Sequence, residues 1–150
     1  MPGRGAEGFK AFELCEHTAD VLVRAYGRSL EEAFANAARG VFEVITDTSK
    51  VEPRVCKHVR VEGIDLENAL YRWVEEFLFY FDAEGLVFSR FRVHRIEKTD
   101  GGYVVEGEGC GEAFDPERHE YRTIVKAVTY AQMCIRRLDG LWMVQFVVDI

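Results

Sequence analysis

No apolar run in this sequence approaches the roughly 18 residues that a membrane-spanning helix needs. Residues 1–10 carry Gly and Arg but no apolar stretch, so they do not read as a signal peptide. The expectation is a cytoplasmic chain without a membrane anchor. Cysteine is sparse: Cys15, Cys56, Cys110 and Cys134 are widely scattered, with no CxxC pair. A zinc cage or a redox dithiol is poorly supported by that spacing, and four small core residues in a reducing compartment are the plain expectation. Basic charge is also short, with 19 Lys and Arg against 26 Asp and Glu and a formal net charge of -7. Phosphate contacts need a basic face, so the balance argues against a general nucleic-acid binder while leaving room for a local patch. A P-loop, a GxGxxG opening a helix, GxSxG and HExxH are all missing, which removes most nucleotide-binding and hydrolase readings. Neither an internal repeat nor a linker interrupts the chain.

What is present suits one folded domain of 150 residues, with 48% hydrophobic and 30% charged residues and 11 Phe for a large core. Residues 1–8 read as a flexible leader, and 9–150 as the domain. Two short strands, 10–16 and 21–26, flank the polar turn His17-Thr18-Ala19-Asp20. Ser29-Leu30-Glu31-Glu32 is a capping box. The apolar series Leu30, Ala33, Phe34, Ala37, Ala38, Val41, Phe42 and Ile45 holds a helical period for four turns. A strand over 51–62 follows, and Gly63 breaks it. Asp65 caps a second helix running to about Glu84, which Tyr71, Val74, Phe79 and Tyr80 make apolar around much of its girth. Such a helix is either central or partly exposed to a partner.

Beyond Leu86 the signals are strand signals. Asp100-Gly101-Gly102 turns a hairpin between 91–98 and 103–112, and Asp139-Gly140 turns a second between 131–137 and 141–148. A strand over 121–130 lies between them. Gly107, Gly109 and Gly111 alternate in one arm, leaving a face without side chains that another backbone or a ligand can approach. The sum is an α+β single domain with two helices packed on a mostly antiparallel sheet.

A few polar residues sit where the fold has little need of them. Asp20 is either an Asx-turn residue or a ligand. Asp149 and the carboxylate of Ile150 follow an apolar strand whose Trp142, Val144, Phe146 and Val148 share one face. They form either a solvated end or an anchored acidic group. Carboxylates brought together need a cation between them, and all-oxygen ligation selects a hard ion such as Ca²⁺, Mg²⁺ or Mn²⁺. The sequence does not show whether Asp20 and Asp149 meet. Lys126 in Lys126-Ala127-Val128-Thr129-Tyr130 either snorkels to solvent or offers a point charge to phosphate or carboxylate. His119 reads as an exposed loop residue. Asp47, just past the first helix, sits at the end where the dipole disfavours an acid.

The combination Glu16-His17-Thr18-Ala19-Asp20, Ser29-Leu30-Glu31-Glu32-Ala33-Phe34, Thr46-Asp47-Thr48, Lys126-Ala127-Val128-Thr129-Tyr130 and a final Asp149-Ile150 resembles archease from about Phe9 to Ile150. The resemblance implies a small cytoplasmic accessory protein of RNA processing that serves an RtcB-type RNA ligase. That ligase joins cyclic-phosphate or 3′-phosphate RNA ends to 5′-hydroxyl ends in tRNA splicing and repair, using GTP and Mn²⁺ through a guanylylated histidine. The accessory protein promotes guanylylation and multiple turnover and is not itself an enzyme. The resemblance further implies a divalent cation (Ca, Mg or Mn) held by Asp20, Asp149 and Ile150. It implies a contact to the ligase from Lys126, and His17, Asp47, His119 and Thr129 are further candidates for ligase contact or for support of the site. RNA is then met through the ligase rather than directly. An older description of the family implies a chaperone or modulator of tRNA methyltransferases, for which the aromatic second helix is the candidate surface. A third reading is a small metal-dependent phosphate-processing enzyme using Asp20, Asp149 and His119.

Overall fold

The computed structural model describes residues 8–16 and 19–150. The elements in chain order are β1 (Phe12–Glu16), β2 (Asp20–Gly27), α1 (Leu30–Ile45), β3 (Val55–Gly63), α2 (Leu66–Glu84), β4 (Leu86–Thr99), β5 (Gly102–Ala113), β6 (Ala127–Val128), β7 (Cys134–Leu138) and β8 (Leu141–Asp149). The chain is α+β, as expected, but its strands form two sheets rather than one. The first has the order β1-β2-β8-β6, with β7 also paired to β8; the second has the order β3-β5-β4. Every pairing is antiparallel.

Local chemistry sets the helix limits. The Ser29 hydroxyl accepts from the Glu32 N–H at 3.0 Å, while the Glu32 carboxylate reaches back to the Arg28 N–H at 2.6 Å. This is the capping box read from the sequence, with the return bond one residue earlier. Asp65 caps α2 by accepting from the Asn68 N–H, and Gly85, at φ 69°, closes the other end in the left-handed region that glycine favours. Each helix touches strands of both sheets. The Trp73 indole N–H donates to the Phe34 carbonyl at 3.0 Å and joins the two helices. Phe77 meets Trp73, Phe88 and Phe91 edge to face. The aromatic girth of α2 therefore divides: Val74 is buried, Tyr71 stacks on Tyr130 at 4.5 Å, and Phe79 stays 58% exposed.

The glycine face of β5 is filled from within. Phe77 of α2 and Phe91 of β4 lie over Gly109. The backbone of β4 closes on Gly111 and Gly107, beside its two bulges, between Phe88 and Arg90 and between Val93 and Arg95. A methyl at Gly111 would collide with the Val87 carbonyl. Gly111→Ala is expected to cost about 1–3 kcal/mol. Gly101→Ala, whose added carbon meets nothing within 4 Å, should stay within about 0.5 kcal/mol. Urea midpoints of the two variants check the pair.

The segment 121–130 is not the continuous strand expected from the sequence; only Ala127–Val128 join the sheet. Side chains divert the rest. Arg122 is tied to Glu43 at the end of α1. The Thr129 hydroxyl donates to the Val147 carbonyl at 2.8 Å. Tyr130 leaves the sheet to stack on Tyr71 and accept from Asn68.

Candidate functional site

β2 and β8 are long, apolar and paired over their whole length, and that pairing decides the geometry. Val21, Val23 and Ala25 face inward from β2, as do Val144, Phe146 and Val148 from β8, all at most 1% exposed. Side chains alternate along a strand, so Asp20 and Asp149 fall on the outer face. They are directly opposed partners, Asp20 with Asp149, and Ala127 of β6 extends the same row. Opposed residues of an antiparallel pair project to the same side with Cβ atoms about 4.5–5.5 Å apart. Among the described residues neither carboxylate forms an ion pair. The end of β8 is pinned on both sides: the Ile150 N–H donates to the Ala19 carbonyl at 3.1 Å, and the Lys126 N–H to the Asp149 carbonyl at 2.8 Å. Ile150 packs against the core and lines a 480 Å³ groove with Leu14, Val21, Val44 and Arg122. Two unpaired carboxylates on rigid neighbouring strands are a donor set suited to a hard divalent ion. Without one, like charges directly opposite each other destabilise the sheet.

The remaining candidates divide. Lys126 is exposed, and it lines a 350 Å³ groove on the α2 side with Glu75, Glu76, Phe79 and Asp82. The Thr129 hydroxyl is committed to Val147 and to the Ala131 N–H. Asp47 caps a 3₁₀ turn (Thr48–Lys50), and the hydroxyl and N–H of Ser49 hold its carboxyl below the usual range. Its position past α1 is thereby a local cap. His17 lies outside the described residues.

His119 is not an exposed loop residue; it is 4% exposed. Its Nδ1 accepts the Asp115 N–H at 2.8 Å, so the ring proton sits on Nε2, 2.9 Å from Glu112 Oε2. Glu112, itself 5% exposed, also accepts from the Glu52 N–H and from Arg118, and it pairs with Arg54. Burial pushes its carboxyl up, but the bonds from Arg118, Glu52 and His119 outweigh that and hold it at about 2. This network fastens the loop after β5 and was not legible in the sequence, where Glu112 is one more acid in an alternating strand.

The cysteines also depart from expectation. Cys56 and Cys110 are opposed across β3 and β5 and form a disulfide; Cys56 and Cys15 are exposed, Cys134 is half-buried, and only Cys110 is a buried residue. Register brings together two residues 54 apart in sequence, which spacing alone does not reveal. Glu108 lies close to both sulfurs, but joined in a disulfide they offer no thiolate to a metal.

The fold and site define an α+β domain with an outer acid pair at the end of its central strands. The Archease protein family (MTH1598/TM1083) matches residues 12–150, and the chain belongs to that family. It is 62% identical over 135 residues to the archease of Aeropyrum pernix, covering 90% of this chain and 94% of that protein. It is 54% identical over 139 residues to the archease of Sulfurisphaera tokodaii, covering 93% and 98%. The solution structure of protein 1598 of Methanobacterium thermoautotrophicum superposes with a TM-score of 0.80 at 42% identity, over 93% of this chain and 99% of that one. A crystal structure from Thermotoga maritima, described as an archease and possible chaperone, shares the fold with a TM-score of 0.57 at 20% identity, over 92% and 96%. These names describe a protein and a possible chaperone rather than an enzyme. Among the described residues no helix is long and apolar enough to cross a membrane.

Proposed function

We propose that this chain is a non-enzymatic accessory protein that activates an RtcB-type RNA ligase, promoting its metal- and GTP-dependent guanylylation and its multiple turnover. The observation that carries the reading is the direct opposition of Asp20 and Asp149 on β2 and β8. These two carboxylates, with Ile150 beside them, would hold a divalent ion such as Ca²⁺, Mg²⁺ or Mn²⁺. A hard cation bound there supplies positive charge for phosphate oxygens. The chain's own part is to keep two carboxylates unneutralised and fixed at the tip of a rigid sheet. The acidic balance, 26 against 19, suits approach to the cationic, phosphate-binding cleft of a ligase, with RNA held by that partner.

A second reading, a chaperone or modulator of a tRNA-modifying enzyme such as a methyltransferase, has its own support in the exposed Phe79 set among Glu75, Glu76 and Asp82. The phosphate-processing enzyme reading loses its proton carrier, because both ring nitrogens of His119 are occupied. Single-turnover guanylylation of the cognate ligase, run with and without the chain at fixed GTP and divalent ion, tests the proposal. A clear rise in rate and in turnovers per ligase is expected. An unchanged rate together with stimulation of a tRNA methyltransferase would support the second reading instead.

A further inference from the structure

The outer face of the second sheet carries chemistry that the acid pair does not use. Register sets two rows across β3, β5 and β4: Cys56, Cys110 and Arg90 in one, and His58, Glu108 and Arg92 in the next. A 310 Å³ pocket opens there, lined by Pro53, Cys56, Cys110, Arg90, Arg92 and Glu108. Arg90 and Arg92 are exposed and, among the described residues, form no ion pair, whereas Arg95 further along β4 is bound to Glu97 and Glu106. Glu108 sets one negative charge against the two guanidiniums. Cys56 is exposed and Cys110 is buried, so attack by an outside thiolate is open at the Cys56 sulfur.

We propose that Cys56–Cys110 is a thiol–disulfide exchange site for anionic low-molecular-weight thiols, whose carboxylate or phosphate groups are drawn in by Arg90 and Arg92. The incoming thiolate bonds to the Cys56 sulfur, the Cys56–Cys110 bond breaks, and Cys110 leaves as a thiolate on the strand beside Arg90. A second thiolate then attacks the small-molecule sulfur of the mixed disulfide, releasing the small disulfide and the Cys56 thiolate. Two thiols are thereby oxidised and one protein disulfide is reduced. The reverse sequence with the small disulfide as oxidant restores the bond.

The test uses the full chain in a Cys15→Ser, Cys134→Ser background, oxidised with hydroxyethyl disulfide. Reduction by 3-mercaptopropionate is compared with reduction by 2-mercaptoethanol, each rate expressed per thiolate, and glutathione and coenzyme A serve as carboxylate-bearing and phosphate-bearing arms. At low ionic strength the anionic thiols should react roughly tenfold faster than the neutral one. The preference should shrink toward one in 0.5 M salt (about 4 Å of screening length) and in Arg90→Ser/Arg92→Ser, while Arg92→Lys retains it. The trapped mixed disulfide should map to Cys56. Equal rates per thiolate in the unsubstituted pocket, an adduct on Cys110, or failure of the pair to oxidise would overturn the proposal. The salt dependence reads the same effect without any arginine variant.

Discussion

Asp20→Asn and Asp149→Asn are each expected to bring the ligase's guanylylation back to near its unassisted rate while leaving the fold intact. Each removes one anionic oxygen from a set that offers few. The loss in ion affinity should be at least the roughly 10–100-fold seen when only a supporting partner of a metal ligand is removed. The same substitutions carry a signature that a merely structural role would not give. Like charges opposed across an antiparallel pair cost about 0.2–1 kcal/mol, so in the absence of divalent ions either variant should be as stable as the unsubstituted chain or slightly more so. With divalent ion at a hundredfold excess over its Kd the order reverses, because the unsubstituted chain gains about 2.7 kcal/mol and a variant that binds at least tenfold more weakly gains no more than about 1.4 kcal/mol. Thermal melts with and without EDTA read both arms, and single-turnover guanylylation reads the functional one.

Glu112→Ala is expected to be among the most destabilising single substitutions on the second sheet, at about 3–5 kcal/mol. It leaves a buried His119 and the Arg118 and Arg54 guanidiniums without their shared acceptor. The unsubstituted carboxyl is held at about 2 against an ordinary 4.5. A group whose folded pKa is depressed contributes stability that is fully present above its unfolded pKa and is lost as pH falls toward the folded one. The contribution, of about 3 kcal/mol, is therefore expected to disappear between about pH 4.5 and pH 2. Glu112→Gln should flatten that part of the acid-unfolding profile while barely changing its shape above pH 6. Urea unfolding at a series of pH values measures both. An acid profile of the same slope in the Gln variant would show that other carboxylates carry the acid sensitivity.

Much of the fold was legible because local chemistry and periodicity agree. Ser29 and Asp65 cap the helices they were expected to cap. Asp139 and Gly140, at φ 51° and 80°, turn the hairpin they were expected to turn. The inward row Trp142, Val144, Phe146 and Val148 follows the strand period. The split into two sheets was not legible, since period-2 patterning says which face is buried but not which strand is the neighbour. The strand over 121–130 failed for a related reason. Its β-branched and aromatic residues suit a strand, but Arg122, Thr129 and Tyr130 find partners on α1, β8 and α2 rather than in a ladder. At the site, residue types pointed to Asp20 and Asp149, and only the β2–β8 register showed that they are opposed. Cys56–Cys110 was misread because its pairing is set by a strand distant in sequence, and His119 because its loop folds back to place the ring on Asp115 and Glu112.

Titration with Mn²⁺ followed by amide NMR decides whether the acid pair holds a divalent ion. Paramagnetic broadening should appear first, at low equivalents, at Ala19, Asp20, Asp149 and Ile150 and at Ala127 in the same row, and should vanish in Asp20→Asn/Asp149→Asn. Broadening centred instead on Glu75, Glu76 and Asp82 of α2, or persisting unchanged in the double variant, would contradict the account.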